Sequence, residues 1–130
     1  MSIIVDRFKK IKSNINKDNV NIIAVSKTYS LDYIKPLIDH GHLHFGENKV
    51  QEADSKWKSI RDTRKDLKIH LIGKLQTNKA KRALEIFDYI HSLDNQKLAD
   101  TLCKLEKVKS KKINYFIQVN VGMESQKSGI

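Results

Sequence analysis

A lysine follows the first strand-like run of the sequence, and its amine is the side-chain group best suited to covalent chemistry. Residues 22–25 (Ile-Ile-Ala-Val) are typical of a buried strand, and Ser-Lys-Thr follows directly. Because alternate strand residues face the same side of a sheet, Lys27 shares a face with Ile23 and Val25. If that face lines a barrel, Lys27 lies at the rim, where an amine shielded from water can attack a carbonyl and form a Schiff base. The alternative is a surface lysine that only ends the strand.

Polar residues also occur at or near the ends of later strand-like runs. Glu47 and Asn48 come after the second run and are expected at the rim, and Gly46 is expected to permit a tight turn into the next helix. His70 lies within the third run and is either a core histidine or a pocket residue, and Asn120 ends the fifth run. Taken singly, Asn and Gly after a strand are usual turn residues, so only their shared placement favours a site.

The third run is followed by a glycine and two possible capping residues. Gly73 is expected to permit a turn, and Thr77 or Asn78 is expected to cap the next helix. Free backbone amides at that helix start could hold an anion.

The elements that must position these residues alternate regularly. Strand-like runs begin near residues 22, 43, 69, 88 and 113, and each gap between them contains an amphipathic, helix-like stripe. An N-terminal helix precedes them. The stripes are Ile4, Phe8, Ile11 and Ile15, then Leu31, Ile34, Leu37 and Ile38, then Val50, Ala53, Trp57 and Ile60, then Ala80, Ala83, Leu84 and Phe87, and finally Leu98, Leu102 and Leu105. In the second stripe Ser30 is a possible N-cap, Gly41 ends the helix, and Pro36 is expected to kink it or delay its start.

This alternation predicts an α/β fold with a parallel sheet built from βαβ units. An open doubly wound sheet and a (β/α)₈ barrel share the pattern. The first strand has no glycine-rich dinucleotide loop after it, and the chain has no P-loop, which disfavours the open nucleotide-binding sheet. We expect residues 1–130 to form a single domain with an N-terminal helix, about five strands and four helices, and the pattern alone leaves both architectures open. The first and fifth strands of this domain would be exposed edges.

Composition narrows the classes of function. The net charge of +10 and pI near 9.7 raise the possibility of a nucleic-acid-binding module, but the lysines are scattered and rarely interleave with aromatic residues. Nucleic acid is therefore an unlikely partner on this pattern. A single cysteine, Cys103, lies on an apolar stripe and is expected to be a small core residue in a reducing compartment. No apolar run has the length of a membrane span or a signal peptide, so we expect a cytoplasmic location and no membrane contact.

Four stretches in this order resemble a known family. They are AVSKT, HFGENKVQE, HLIGKLQTNK and IQVNVGMESQKSGI, and together they are similar to the YggS/PROSC family of pyridoxal 5′-phosphate homeostasis proteins. The resemblance covers essentially the whole chain. It implies a fold similar to the N-terminal barrel of bacterial alanine racemases, a parallel (β/α)₈ TIM-type barrel that is here truncated to an N-terminal helix, about five strands and four helices.

The resemblance also implies a cofactor and the residues that bind it. Lys27 would hold pyridoxal 5′-phosphate covalently as a Schiff base, while Asn48, His70, Asn120 and Lys127 match family positions near the barrel mouth and are candidate pocket residues. Apo-enzymes that depend on the cofactor are possible partners. In the family, the phosphate cradle and an arginine facing the pyridine ring come from C-terminal strands that this chain lacks.

The resemblance favours a cofactor carrier with no established turnover, so we assign no catalytic residue and no metal ligand. The alternative within the same fold is a racemase-like enzyme that acts on amino acids. A racemase needs a second acid/base residue on the opposite face of the cofactor, and no candidate for that residue can be named in this sequence.

Overall fold

The computed structural model describes residues 2–15, 17 and 19–130, in which helices and strands alternate as predicted. The helices are α1 (Ile3–Asn14), α2 (Leu31–His40), α3 (Val50–Thr63), α4 (Ala80–Ile86) and α5 (Gln96–Lys109). The strands are β1 (Ala24–Val25), β2 (His44–Glu47), β3 (Lys68–Leu71), β4 (Tyr89–Leu93) and β5 (Asn114–Ile117), and a 3₁₀ turn at Thr77–Lys79 precedes α4.

The strands form one parallel sheet in the order β1-β2-β3-β4-β5. Each strand pairs with the next one in the chain through a helical crossover. Because crossovers of this kind are right-handed, an unbroken strand order places the connecting helices on one face of the sheet. This confirms the prediction of a parallel α/β fold, with five strands and four helices after the N-terminal helix. It also leaves β1 and β5 as the two edges of the described sheet, as expected.

The core lies between the sheet and its helices. Trp57 of α3 is fully buried against Phe45 of β2, with ring centroids 5.2 Å apart. The core also includes residues of the predicted stripes and alternate strand residues, among them Ile34, Leu37, Ile38, Ala53, Ile69, Leu71, Ala83, Leu84, Ile90, Leu98 and Leu102. Burying these apolar side chains is the main contribution to stability, and it requires the register that the sheet shows.

Helix ends follow some of the predicted capping signals and not others. Gly41 ends α2 in the left-handed conformation (φ 106°), and its N–H donates to the Ile38 carbonyl. Pro36 lies inside α2, which nevertheless begins at Leu31, so Pro36 does not delay the start of the helix. Thr77 and Asn78 are not caps, because they form the 3₁₀ turn before α4. Asn95 caps the start of α5, and its side-chain oxygen accepts a hydrogen bond from the Leu98 amide at 2.8 Å.

Cys103 is exposed, so its prediction as a core residue is wrong. In α5 the buried positions are Leu98 and Leu102. Cys103 follows Leu102 by one residue, and one helical step of 100° turns it away from the sheet.

None of the helices within the described ranges is both long enough and apolar enough to cross a membrane.

Apolar side chains are exposed near the far edge of the sheet. They belong to β5 and the segment that follows it: Phe116, Ile117, Val119, Val121 and Met123. No described helix or strand packs over these side chains.

Candidate functional site

Lys27 lies in a turn directly after β1, at the carboxyl edge of the sheet. Its neighbour Ser26 is buried toward the helices, whereas Val25 is 52% exposed on the opposite face. Val25 thus lies on the face that would line a closed barrel, and strand alternation predicts that Lys27 shares this face.

The expected shielding of Lys27 from water is wrong in this structure, where the side chain is exposed. The reason is that β1 is an edge strand, and no described element covers its open face. Among the described residues, no acidic side chain forms an ion pair with the Lys27 ammonium group.

A buried polar cluster lies behind Lys27, between β1, β2 and α3. Glu47 is fully buried and points toward the helices, not toward the rim where the sequence placed it. Its carboxylate accepts hydrogen bonds from Ser26 Oγ at 2.5 Å, Trp57 Nε1 at 3.1 Å and Lys56 Nζ at 3.0 Å. Lys56 is 7% exposed, so this is an ion pair largely removed from water and stabilised by further hydrogen bonds.

The same cluster reaches the backbone on both sides of Lys27. Lys56 Nζ donates to the Ser26 carbonyl oxygen at 2.7 Å. The Thr28 amide donates to Glu52 Oε2 at 2.5 Å, and Lys56 Nζ donates to that same oxygen at 3.2 Å. Partial burial would raise the pKa of Glu52, but the Thr28 amide and the Lys56 ammonium outweigh it and lower that pKa.

Asn48 follows β2 on the strand next to Lys27 and packs against Gly73 after β3. A Cβ atom on Gly73 would lie 2.2 Å from the Asn48 carbonyl oxygen and 2.6 Å from its Oδ1. Gly73 is therefore required by this close approach and not by the turn that the sequence suggested. Gly46 is likewise no turn residue, since it lies within β2 beneath Ile23 and Ile72.

His70 lies within β3, 4% exposed, on the open face of the sheet. Its Nε2 lies 2.9 Å from Nδ1 of His44 on β2, and its Nδ1 lies 2.8 Å from Nε2 of His91 on β4. The Tyr89 ring stacks on it at 4.2 Å. We call His44, His70 and His91 the histidine chain. Neutral rings satisfy both contacts, because each imidazole has one donor and one acceptor.

The histidine chain favours uncharged rings. Burial, together with the charge interactions of His91 and His44, lowers the pKa of His70 to about 4. Burial also lowers the pKa of His44, with Lys68 adding to the effect, and burial lowers the pKa of His91. His70 is thus a neutral, hydrogen-bonded group at neutral pH, and it lies below the rim rather than on it.

Asn120 and Lys127 belong to the segment after β5. Asn120 Nδ2 donates to the Glu124 carbonyl at 2.7 Å, and its Oδ1 accepts from the Glu124 amide at 3.1 Å, so the side chain closes its own loop. Lys127 is exposed and pairs with Glu124 at 3.0 Å. Such a surface ion pair contributes little to stability, which leaves Lys127 able to exchange partners.

The structure brings some predicted site residues together and separates others. Lys27 and Asn48 follow neighbouring strands, and His70 lies on the next strand. Asn120 and Lys127 follow β5, four strand spacings from β1, or about 19 Å along the sheet. Of the five positions, only the first three follow or lie on neighbouring strands.

Sequence reasoning missed the cluster behind Lys27 and the histidine chain. Glu47 could have been placed inside from its alternation with Phe45, and Glu52 and Lys56 form a visible i,i+4 pair on α3. The histidine chain joins residues 26 and 21 positions apart, so it depends on strand register.

The fold and the rim define a class of protein: a parallel β/α sheet of barrel type that presents an amine at the carboxyl end of its first strand. The chain belongs to the family described as alanine racemase, N-terminal domain, which matches residues 2–130. The resemblance inferred from the sequence is confirmed.

Individual relatives agree with this assignment. The chain is 37% identical over 119 residues to a pyridoxal phosphate homeostasis protein of Haemophilus influenzae, covering 92% of this chain and 50% of that protein. It is 39% identical to a protein of the same description from Buchnera aphidicola, covering 94% of this chain and 55% of that one. The chain thus spans about half the length of the curated relatives it matches.

Solved structures show the same fold. PipY of Synechococcus elongatus without pyridoxal phosphate superimposes with a TM-score of 0.89 at 38% identity, covering 95% of this chain and 57% of PipY. The structure of PipY with pyridoxal phosphate bound gives a TM-score of 0.84 at 39% identity, covering 89% and 54%. The truncated barrel-type fold predicted from the sequence is confirmed by these matches.

Proposed function

We propose that this chain binds pyridoxal 5′-phosphate through Lys27 and takes part in the homeostasis of that cofactor. The observation that carries the proposal is the Lys27 amine itself, exposed at the carboxyl edge of β1 on the open face of the sheet. The proposal is also supported by the likeness to PipY, of which one structure has pyridoxal phosphate bound. Relatives described as pyridoxal phosphate homeostasis proteins support it as well.

The residues present fit the aldehyde end of the cofactor. When bound, the cofactor supplies an aldehyde, with which a primary amine condenses with loss of water. Lys27 offers such an amine without an acidic partner among the described residues, on a face where the described part of the chain leaves space. Asn48 on the adjacent strand end is the nearest predicted pocket residue in the strand order, and His70 lies one strand further.

The remaining predicted residues act at longer range in this proposal. Lys127 carries an exposed ammonium that could attract the cofactor's phosphate, and Asn120 holds the loop in which Lys127 lies. The net charge of +10 favours the approach of any anionic ligand. These roles predict weaker binding when either residue is changed, with covalent attachment still at Lys27.

We propose a carrier role and not turnover. The relatives' description as homeostasis proteins supports this. The racemase-like alternative predicts that an L-amino acid loses optical purity when it is incubated with the chain and the cofactor. We expect chiral chromatography to show no loss beyond that caused by the free cofactor, and a Lys27-dependent loss would replace the carrier by an enzyme.

We also propose that residues 1–130 act as one unit in the cytoplasm and that apo-enzymes dependent on the cofactor are its recipients. The chain loaded with cofactor should reactivate such an apo-enzyme in the presence of a scavenger that removes free cofactor. No reactivation above the scavenged control would reject a role in delivery.

The test of the anchor is borohydride reduction followed by peptide mapping. Reduction converts the bond between lysine and cofactor into a stable amine, so the labelled residue can be read by mass spectrometry. We expect the label chiefly on Lys27, and we expect Lys27→Ala to lose it. Lys104→Ala is the matched control, because Lys104 is also exposed but lies on α5. Equal labelling of wild type and Lys27→Ala would reject the anchor.

A further inference from the structure

We propose that Glu52 and Lys56 of α3 are positioning residues that hold the backbone on both sides of Lys27 and thereby aim its amine over the open face of the sheet. The inference rests on the proposed function, because it gives these residues a purpose only if Lys27 is the group that reacts. Neither residue reacts itself in this proposal.

The first contact holds the carbonyl side of the turn. Lys56 Nζ donates to the Ser26 carbonyl at 2.7 Å, and the Ser26 hydroxyl donates to Glu47 at 2.5 Å. Lys56 is anchored in turn by both oxygens of Glu47, at 3.0 and 3.1 Å. Because Glu47 is fully buried, this anchor cannot shift without leaving a charge unpaired in the core.

The second contact holds the amide side. The Thr28 N–H donates to Glu52 Oε2 at 2.5 Å. Thr28 has φ of 68°, a left-handed conformation that is rare for a β-branched residue and unfavourable unless surrounding contacts impose it. The hydrogen bond to a carboxylate is of the strong, charge-assisted kind, and it supplies such a contact.

The sheet does not hold Lys27 by itself. β1 contains only Ala24 and Val25, and the Ser26 amide makes the last contact toward β2, with Gly46 at 2.9 Å. Beyond that point the turn is held by Lys56 and Glu52 of α3, by the Ser26 hydroxyl on Glu47, and by its own hydrogen bond from the Tyr29 amide to the Ser26 carbonyl at 3.2 Å. Ser26 is buried, and the next residue, Lys27, is exposed.

This arrangement predicts what happens when the Glu52 contact is lost. Without it, Thr28 can relax to a negative φ, and the Lys27 Cα–Cβ direction then varies. A reactive group that samples several directions meets the aldehyde in the productive geometry less often. The Lys27 label should therefore fall, while labelling at other exposed lysines stays the same.

The experiment compares Glu52→Ala, Glu52→Gln and the control Glu85→Ala, using the whole 130-residue chain and pyridoxal phosphate. Glu85 is also a partly exposed glutamate paired with a lysine, Lys109, but it lies on α4. After borohydride reduction, the ratio of label on Lys27 to label on other lysines is measured. We expect a roughly tenfold lower ratio in Glu52→Ala, an intermediate ratio in Glu52→Gln, which keeps an acceptor oxygen, and no change in Glu85→Ala.

A second measurement needs no cofactor. Hydrogen exchange of the Thr28 amide, followed by NMR, should be slow in wild type and Glu85→Ala and faster in Glu52→Ala. Trp57 fluorescence verifies that each variant is folded, and the near-isosteric Glu52→Gln covers the case in which Glu52→Ala unfolds.

The outcomes separate the two proposals. Preferential labelling of Lys27 that is unchanged in folded Glu52→Ala or Glu52→Gln overturns the positioning role alone. So does unchanged exchange at Thr28. If wild type shows no preference for Lys27, the proposed function fails, and the positioning role fails with it even when Thr28 is protected.

Discussion

Acidification should destabilise this fold through His70, and the size of the effect follows from its surroundings. The pKa of His70 lies near 4 in the folded chain, against an ordinary value of 6.5, because the ring is buried within the histidine chain. The unfolded chain therefore binds a proton over this interval that the folded chain does not. The stability that the neutral ring provides is present above pH 6.5 and is lost as the pH falls toward 4. The difference between the two pKa values corresponds to a loss of about 3 kcal/mol in the free energy of unfolding.

That loss is large beside a domain stability of roughly 5–15 kcal/mol. It can be measured by urea unfolding at a series of pH values between about 7 and 4, with the fully buried Trp57 as a fluorescent reporter. His70→Gln keeps hydrogen-bonding capacity but cannot take up a proton there. We expect it to reduce the dependence of the unfolding free energy on pH over this interval by about 3 kcal/mol.

Other groups also titrate between these pH values, so the difference between wild type and variant is the decisive quantity. His40→Gln is the matched control, because His40 is an exposed histidine outside the histidine chain. If His70→Gln and His40→Gln change the pH dependence equally, the reasoning from burial is refuted. An NMR titration that places the His70 midpoint near 6.5 would refute it directly.

Three further predictions concern the scaffold. Gly73→Ala should destabilise the fold by about 1–3 kcal/mol in urea unfolding, because the new Cβ would overlap the Asn48 carbonyl; a loss below about 0.5 kcal/mol would contradict the close packing. Lys56→Met should cost about 3–5 kcal/mol because it leaves Glu47 buried and unpaired, and adding Glu47→Gln should recover part of this; a purely additive double variant would argue against the pair. Cys103 should react with a thiol reagent in the native state nearly as fast as in urea, and strong native protection would show that it is buried after all.

Sequence periodicity predicted the elements well, because burial repeats along each of them. In α3 the spacing of Val50, Ala53 and Trp57 matches the buried face. In β1, alternation linked Lys27 to Val25 but left open which face they share. The burial of Ser26 depends on tertiary partners, which come from β2 and α3.

The parts of the site that sequence reasoning missed depend on tertiary contacts. The apolar run before Glu47 predicts a rim residue, yet the carboxylate lies in the core, where Trp57 and Lys56 donate hydrogen bonds to it. The role of Gly73 depends on the position of Asn48, which approaches from another strand end. No local propensity encodes such contacts, so the sequence could indicate candidate residues but not their partners.

The strand order has a consequence for how the molecule comes apart. Each strand exchanges hydrogen bonds only with its chain neighbours, and no described pairing joins β1 to β5. Coupling of this nearest-neighbour kind resembles that of repeat proteins, whose terminal units can fray while the interior persists. Opening should thus spread inward from the two ends, with the middle of the sheet, around Trp57 and β3, the last region to melt.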